Sequence, residues 1–315
     1  MMAEQTTPDR EDERAVQIYI SADMEGITGL VDALDVQPGG ADYERGRVMM
    51  TEDVNAAVRG ALTAGATRVV VNDAHGPMRN ILPDQLHPSA HLVRGRPKAL
   101  GMLEGLDGSF DATVCVGYHA RAGALGVLSH SFMGHEIEDM WLDSYPVGEI
   151  GIVHATAAAL GAPVAVLTGD DAACAEMSDW DPAVETVPVK RARGRFAAQL
   201  LPVGEARHAI ETSVAAALQA ASGESVPAVT TPVLGNPGPA AAATPRPGRQ
   251  SLGDRPTLAV RWQSASVAAM LLGIPGVTLR DSRTVQVTGT MPELFRLLSI
   301  FIHVAIPSAA AGPYC

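Results

Sequence analysis

The apolar pattern of this chain alternates between two periods. Ile18 to Ala22 is a mostly apolar run with β-branched side chains that reads as a buried strand and ends in Asp23-Met24-Glu25-Gly26. From about Tyr43 to Ala64 apolar residues recur at helical spacing, with Val48, Met49, Val54, Ala57, Val58, Ala61 and Leu62 on one stripe and Gly65 as the stop. Arg68 to Asp73 is a second buried strand, and strand, helix and strand together read as a βαβ unit with parallel strands. A short strand at His91–Val93, a helix over Pro97–Gly105 and a third strand at Thr113–Tyr118 follow. Gly123–Tyr145 has little period and reads as loops around a site. Beyond it the pattern predicts a helix from Glu149 to Leu160, strands at Pro163–Thr168 and Glu185–Lys190, and helices at Ala172–Met177 and Glu205–Ala221. The end of the chain predicts a strand at Thr257–Trp262, a helix at Ser264–Leu272, a strand at Val285–Val287, and a core helix from Pro292 to Ile306 stopped by Pro307. The fold class is therefore α/β, a mostly parallel sheet flanked by helices with a smaller C-terminal α/β portion.

Two stretches fall outside this periodicity. Residues 1–15 are charged, lack the basic start and apolar core of a signal peptide, and read as a disordered tail. Residues 222–255 are crowded with Pro, Gly, Ala and Thr and read as a mobile segment inside one catalytic unit spanning 16–315.

Composition then narrows the partners. A formal net charge of −12 and a pI near 5.1, with no basic stripe, argue against nucleic acid and against an anionic membrane. Three cysteines, Cys115, Cys174 and Cys315, show neither metal nor redox spacing, which points to a reducing, cytoplasmic setting.

The polar residues that end the predicted strands carry the candidate chemistry. Asp23 and Glu25 close the first strand, His75 the second and His119 the third, while Glu149 opens a helix. In parallel α/β sheets ligands bind beyond the carboxyl ends of the strands. Carboxylate and imidazole donors without thiolate suit zinc, or manganese or cobalt in its place. The set is large enough for two metals and also compatible with one. Each residue has a plainer role open to it: a solvated turn for Asp23 and Glu25, an Asx-type turn near His75, a hydrogen-bonded core histidine for His119, and a favourable helix-dipole contact for Glu149. Arg121 and Asp73 stand as supporting or substrate-carboxylate groups. His135 and His154 read as incidental, and Asp170 and Asp171 as helix caps.

Several strings occur together: Ser21-Ala22-Asp23-Met24-Glu25-Gly26-Ile27-Thr28-Gly29, the stretch from Asp42 to Glu52, Val71-Asn72-Asp73-Ala74-His75, Leu86-His87-Pro88, Met102 to Asp107, Gly117-Tyr118-His119-Ala120-Arg121-Ala122, Ser129-His130-Ser131, Pro146-Val147-Gly148-Glu149-Ile150-Gly151 and Gly169-Asp170-Asp171. Together they resemble the bacterial zinc-dependent D-aminopeptidase family over about Ile18 to Lys190. The resemblance implies a two-zinc centre bridged by Asp23 and completed by Glu25, His75, His119 and Glu149, with His130 as catalytic residue. It further implies a ring-shaped homodecamer acting on short peptides with an N-terminal D-residue such as D-Ala. Ala74 stands where the family has a hydroxyl residue, the His130–Glu149 loop is one residue longer, and residues 235–250 look like an insertion.

Amide hydrolysis needs an activated nucleophile and a proton for the leaving amine, and a histidine titrating near neutrality can carry that proton. Water activated by metal is favoured here over direct attack by His130, because the acyl-imidazole route makes two metals largely redundant. The alternatives are a binuclear amidohydrolase acting on a non-peptide or side-chain amide, a phosphoesterase, and a metal-stabilised scaffold without turnover.

Overall fold

The computed structural model describes residues 15–221 and 252–310. Residues 1–14 of the expected tail, residues 222–251 of the Pro/Gly-rich segment, and Cys315 lie outside the described residues. The first half of the chain forms β1 (Val16–Ala22), α1 (Ala33–Val36), α2 (Tyr43–Thr63), β2 (Ala66–Asp73), β3 (Ala90–Val93) and β4 (Ala112–Tyr118). Next come β5 (Ile137–Leu142), β6 (Tyr145–Pro146), α3 (Glu149–Ala159), β7 (Val164–Asp170), α4 (Asp171–Trp180), β8 (Glu185–Gly194), β9 (Ala197–Leu200) and α5 (Val203–Ala221). The last stretch holds β10 (Thr257–Trp262), α6 (Ala265–Leu271), β11 (Thr278–Leu279), β12 (Thr284–Thr288) and α7 (Met291–Ala310).

Seven strands form one sheet in the order β3-β2-β1-β4-β7-β8-β9, parallel except where β9 turns back on β8. Its strands alternate as a two-residue period requires. Ile18, Ile20 and Ala22 point with Val69, Val71, Val114 and Val116 into a cluster closed by Met50 and Val54 of α2 and Ile210 and Val214 of α5. Tyr19, Val70 and Cys115 point the other way, into a cluster shared with α3, α4 and α7. Both faces are covered, which explains why these strands read as near-continuous apolar runs.

A second, antiparallel sheet has the order β11-β12-β10-β5-β6 and adds Met140, Val260, Trp262 and Val285 to the same cluster as Phe295 and Phe301 of α7. This corrects two expectations. The stretch Gly123–Tyr145 is not all loop, because Ile137–Leu142 pairs with β10, and the smaller unit is consequently not purely C-terminal. Over Pro97–Gly105 only a 3₁₀ turn at Gly101–Leu103 forms, since Gly101 and Gly105 adopt φ of +46° and +85° and break the helix. The last helix continues past Pro307, which sits near its end where few backbone bonds remain to lose. Val48, expected on the buried stripe of α2, is exposed, and β9 and β11 were not foreseen. Among the described residues no helix is long and apolar enough to cross a membrane.

Candidate metal centre

Register brings the strand ends level. Ala22 lies opposite Asp73 of β2 and Val116 of β4, and the ladder runs on for one residue: Asp23 N–H donates to the Val116 carbonyl (2.8 Å) and Ala74 N–H to that of Ala22 (2.8 Å). Asp23, His75 and His119 therefore leave three neighbouring strands at one edge. Glu25 follows Asp23 in a turn laid against β4, where Gly26 N–H donates to the Gly117 carbonyl (2.8 Å). Glu149 enters as the first residue of α3.

These side chains converge. Asp23 Oδ1 lies 3.3 Å from His75 Nδ1, which is also 3.0 Å from Glu25 Oε2. Asp23 Oδ2 lies 3.5 Å from His119 Nε2, which is also 3.4 Å from Glu149 Oε1. One aspartate thus faces two histidine–carboxylate pairs, one oxygen toward each. His130 stands beside both, its Nε2 3.9 Å from Glu25 Oε1 and 3.9 Å from Glu149 Oε1. Of the six it is the most exposed, at 18% of its side chain.

Backbone carbonyls orient all three rings. His75 Nε2 donates to Val36 O (2.9 Å), His119 Nδ1 to Ala120 O (3.0 Å) and His130 Nδ1 to Leu128 O (2.8 Å). A carbonyl only accepts, so in each neutral ring the other nitrogen presents its lone pair to the cluster. Leu128 and Phe132, two residues to either side of His130, both adopt left-handed backbone with φ of +53° and +55°. Such conformations persist in non-glycine residues where surrounding contacts impose them. Here the contacts are Leu128 N–H to Arg195 O (2.8 Å), His130 N–H to Ala120 O (3.3 Å) and Phe132 N–H to Glu149 Oε1 (2.6 Å).

The electrostatics call for a cation. Burial, and then the charge of Glu25, push Asp23 up to about 7. Burial would also raise Glu25 and Glu149, but His75 beside the first and His119 beside the second bring both below the usual carboxylate range. Burial disfavours charge on His75 and His119, yet Glu25 and Glu149 outweigh it and hold both well above the ordinary imidazole value. Burial and the charge of His119 lower His130. Asp23 Oδ2, Glu25 Oε2 and His119 Nε2 are buried without a hydrogen-bond partner. Without metal, protons on His75 and His119 offset the charge of Glu25 and Glu149; once those protons leave, three buried carboxylates with inward-facing imidazole lone pairs are a donor set suited to divalent metal. Three overlapping triads have ligand atoms within 4.8 Å of one another: Asp23-Glu25-His75, Asp23-His119-Glu149 and Glu25-His119-His130.

Other sequence candidates take structural places. Asp73 accepts from the backbone of Asn80 (2.6 Å) and Ile81 (2.8 Å) and from the Asn80 side chain, shaping the loop after His75. Arg121 N–H donates to Glu176, its guanidinium donates to Ala122 O, and Asp139 lies 3.7 Å away. His135 is exposed, and His154 is buried against Asp181 at 3.1 Å. Asp170 caps α4 through Ala173 N–H and also accepts from Val127 N–H at the start of the His130 loop. Asp171 instead accepts from Ala192 N–H. Sequence reasoning missed Lys190, a fully buried lysine under the Asp23–Glu25 turn. Its one signal is a cation closing the apolar run Val187-Pro188-Val189.

A family model described as D-aminopeptidase matches residues 16–236. The chain is 34% identical to the D-aminopeptidase of Bacillus subtilis (strain 168) over 293 residues, 92% of this chain and 98% of that protein. Among solved structures it resembles the Zn-dependent D-aminopeptidase DppA from Bacillus subtilis, a self-compartmentalizing protease, with a TM-score of 0.81 at 31% identity, covering 95% of this chain and 100% of that one. By a family match over most of its length and a relative covering nearly all of it, the chain belongs to the D-aminopeptidase family, peptidase family M55, and so to the enzymes that hydrolyse peptide bonds.

Proposed function

We propose that this chain is a zinc-dependent aminopeptidase that releases an N-terminal D-residue such as D-Ala from short peptides. The observation that carries the proposal is Asp23 set between two histidine–carboxylate pairs. Asp23, Glu25 and His75 would hold one zinc ion, and Asp23, His119 and Glu149 a second, with manganese or cobalt able to use the same donors. Bound there, the metal supplies Lewis acidity, which polarises a scissile carbonyl and acidifies water in the cleft. The zinc dependence and the self-compartmentalizing habit of the Bacillus structure support this, as does the family's D-aminopeptidase activity.

His130 is the proposed catalytic residue. Its Nδ1 is tied to Leu128 O, so Nε2 takes a proton from the attacking water and returns it to the leaving amine. Burial and His119 keep the ring neutral and able to accept. Assembly into a ring-shaped homo-oligomer, a decamer, in the cytoplasm completes the proposal.

The test measures zinc per chain together with turnover of D-Ala-D-Ala, L-Ala-L-Ala and a panel of non-peptide amides, before and after chelation. Zinc-dependent cleavage of the D-dipeptide is expected. Turnover confined to non-peptide amides moves the assignment to an amidohydrolase, and turnover indifferent to chelation overturns the metal role.

A further inference from the structure

We propose that Lys190 is a positioning residue that sets the affinity of the metal centre from outside the ligand set, by holding the turn that carries Asp23 and Glu25. Lys190 is fully buried in the middle of β8. Its Nζ donates to three backbone carbonyls, Glu25 O (2.6 Å), Ile27 O (2.9 Å) and Leu30 O (2.5 Å). An ammonium has three donors, and all three are used on one loop. Without a cation at that point the three carbonyl dipoles would converge on nothing, and the loop would relax by turning at least one of them away.

Lys190 shares the hold on this turn with β4, and Ile27 N–H closes the turn on Met24 O (3.1 Å). Asp23 N–H and Gly26 N–H bond to the end of β4, and Thr28 N–H bonds to Asp53, but Glu25 itself is gripped through its carbonyl by Lys190. Lys190 is fixed in turn by the sheet, opposite Asp170 in the β7–β8 register. A lysine more than a hundred residues downstream thus holds the peptide unit that aims the Glu25 carboxylate at His75. Its ammonium is fully buried and spent on these carbonyls, and as a cation it ligates no metal. Outer groups that orient metal ligands are worth about 10- to 100-fold in metal affinity when removed.

The role depends on the metal centre proposed above, and the experiment separates the two. Chelator-stripped wild type, Lys190→Ala, Lys190→Met and Lys190→Gln are titrated with zinc against a chromogenic chelator, in ammonium or potassium chloride and in choline chloride at equal ionic strength. In choline, zinc affinity is expected to fall about 10- to 100-fold in the alanine and methionine variants, with unchanged far-ultraviolet circular dichroism. Ammonium or potassium is expected to restore affinity in Lys190→Ala, whose emptied carbonyl cradle admits a monovalent ion as carbonyl oxygens do in potassium filters. It should not restore Lys190→Met, whose side chain fills that space. Lys190→Gln keeps two N–H donors and carries the test if the alanine variant does not fold: reduced affinity in a folded protein supports the role, and wild-type affinity overturns it. Variants that bind zinc as wild type does, or a loss in Lys190→Ala that ammonium and potassium leave untouched, also overturn it. A wild type that binds no zinc instead overturns the metal centre.

Discussion

His119 and His130 stack ring on ring, their centroids 4.1 Å apart and their planes 8° from parallel. Both present Nε2 to the same oxygen, Glu149 Oε1, at 3.4 and 3.9 Å. They differ in surroundings: His119 is buried between Asp23 and Glu149, whereas His130 sits on the open side of the cluster in a loop bent by two left-handed residues. Positive charge on one ring works against charge on the other. Under the proposed roles the pairing divides the labour, one ring holding metal and its neighbour moving a proton.

His130→Ala is therefore expected to lower kcat for D-Ala-D-Ala by about 10²- to 10⁴-fold, the usual range for a lost general acid–base group. Zinc per chain should stay at the wild-type level. Metal analysis on the same preparation decides the matter, because a fall in zinc matching the fall in kcat would make His130 a support for His119 rather than a proton carrier.

Asp23 and Glu149 should differ in how much metal they cost. Asp23→Asn removes the anion facing both histidine–carboxylate pairs, so both zinc ions are expected to bind weakly. Glu149→Gln touches only the pair with His119 and should leave the site of Glu25 and His75 filled. Equilibrium dialysis reads the difference as stoichiometry, and equal losses from the two variants would argue against a shared Asp23.

Much of this centre was legible because parallel strands put their ends together. Once Ile18–Ala22, Arg68–Asp73 and Thr113–Tyr118 read as strands of one sheet, Asp23, His75 and His119 had to emerge at one edge. What sequence hid was chiefly backbone. The carbonyls of Val36, Ala120 and Leu128 orient the three rings, and every residue type carries the same carbonyl. The second sheet was obscured for another reason. Ile137–Leu142 pairs with Thr257–Trp262 across more than a hundred residues, and Glu138 and Asp139 interrupt its apolar alternation. Lys190 escaped because a lysine closing a strand ordinarily reaches solvent.

Removing metal should make stability depend on pH in a particular direction. Asp23 is raised from 3.8 to about 7 in the fold, so its proton stabilises the metal-free protein below about pH 4 and that contribution is lost as pH rises through about 7. His75 and His119 are raised above 6.5, and their contributions are likewise lost on the alkaline side. The melting temperature of the stripped protein is thus expected to fall as pH rises through about 7 and beyond, opposed in part by His130, whose lowered value acts in the other direction. Zinc affinity rises over the same range as its ligands lose protons, so the gap between loaded and stripped melts should widen. A gap that narrows with pH would contradict the assignment of these groups to metal.

The close seat of the Asp23–Glu25 turn on β4 makes Gly26 the most exacting position in the centre. A Cβ there would lie 2.0 Å from the Tyr118 carbonyl oxygen and 2.5 Å from Gly117 C, both backbone atoms that no rotamer change can clear. Gly26→Ala must lift the turn from the strand, breaking the Gly26–Gly117 hydrogen bond and carrying Glu25 with it. Overpacking of this kind costs about 1–3 kcal/mol, and a displacement near 1 Å at a reacting site about 10²-fold in rate. Gly204→Ala is the matched control: it lies within α5 with nothing near its added methyl, and should be neutral or slightly stabilising. Thermal melts, zinc content and D-Ala-D-Ala turnover on the two variants should diverge sharply. A Gly26→Ala protein with wild-type zinc and rate would mean that the turn can be displaced without moving its carboxylates.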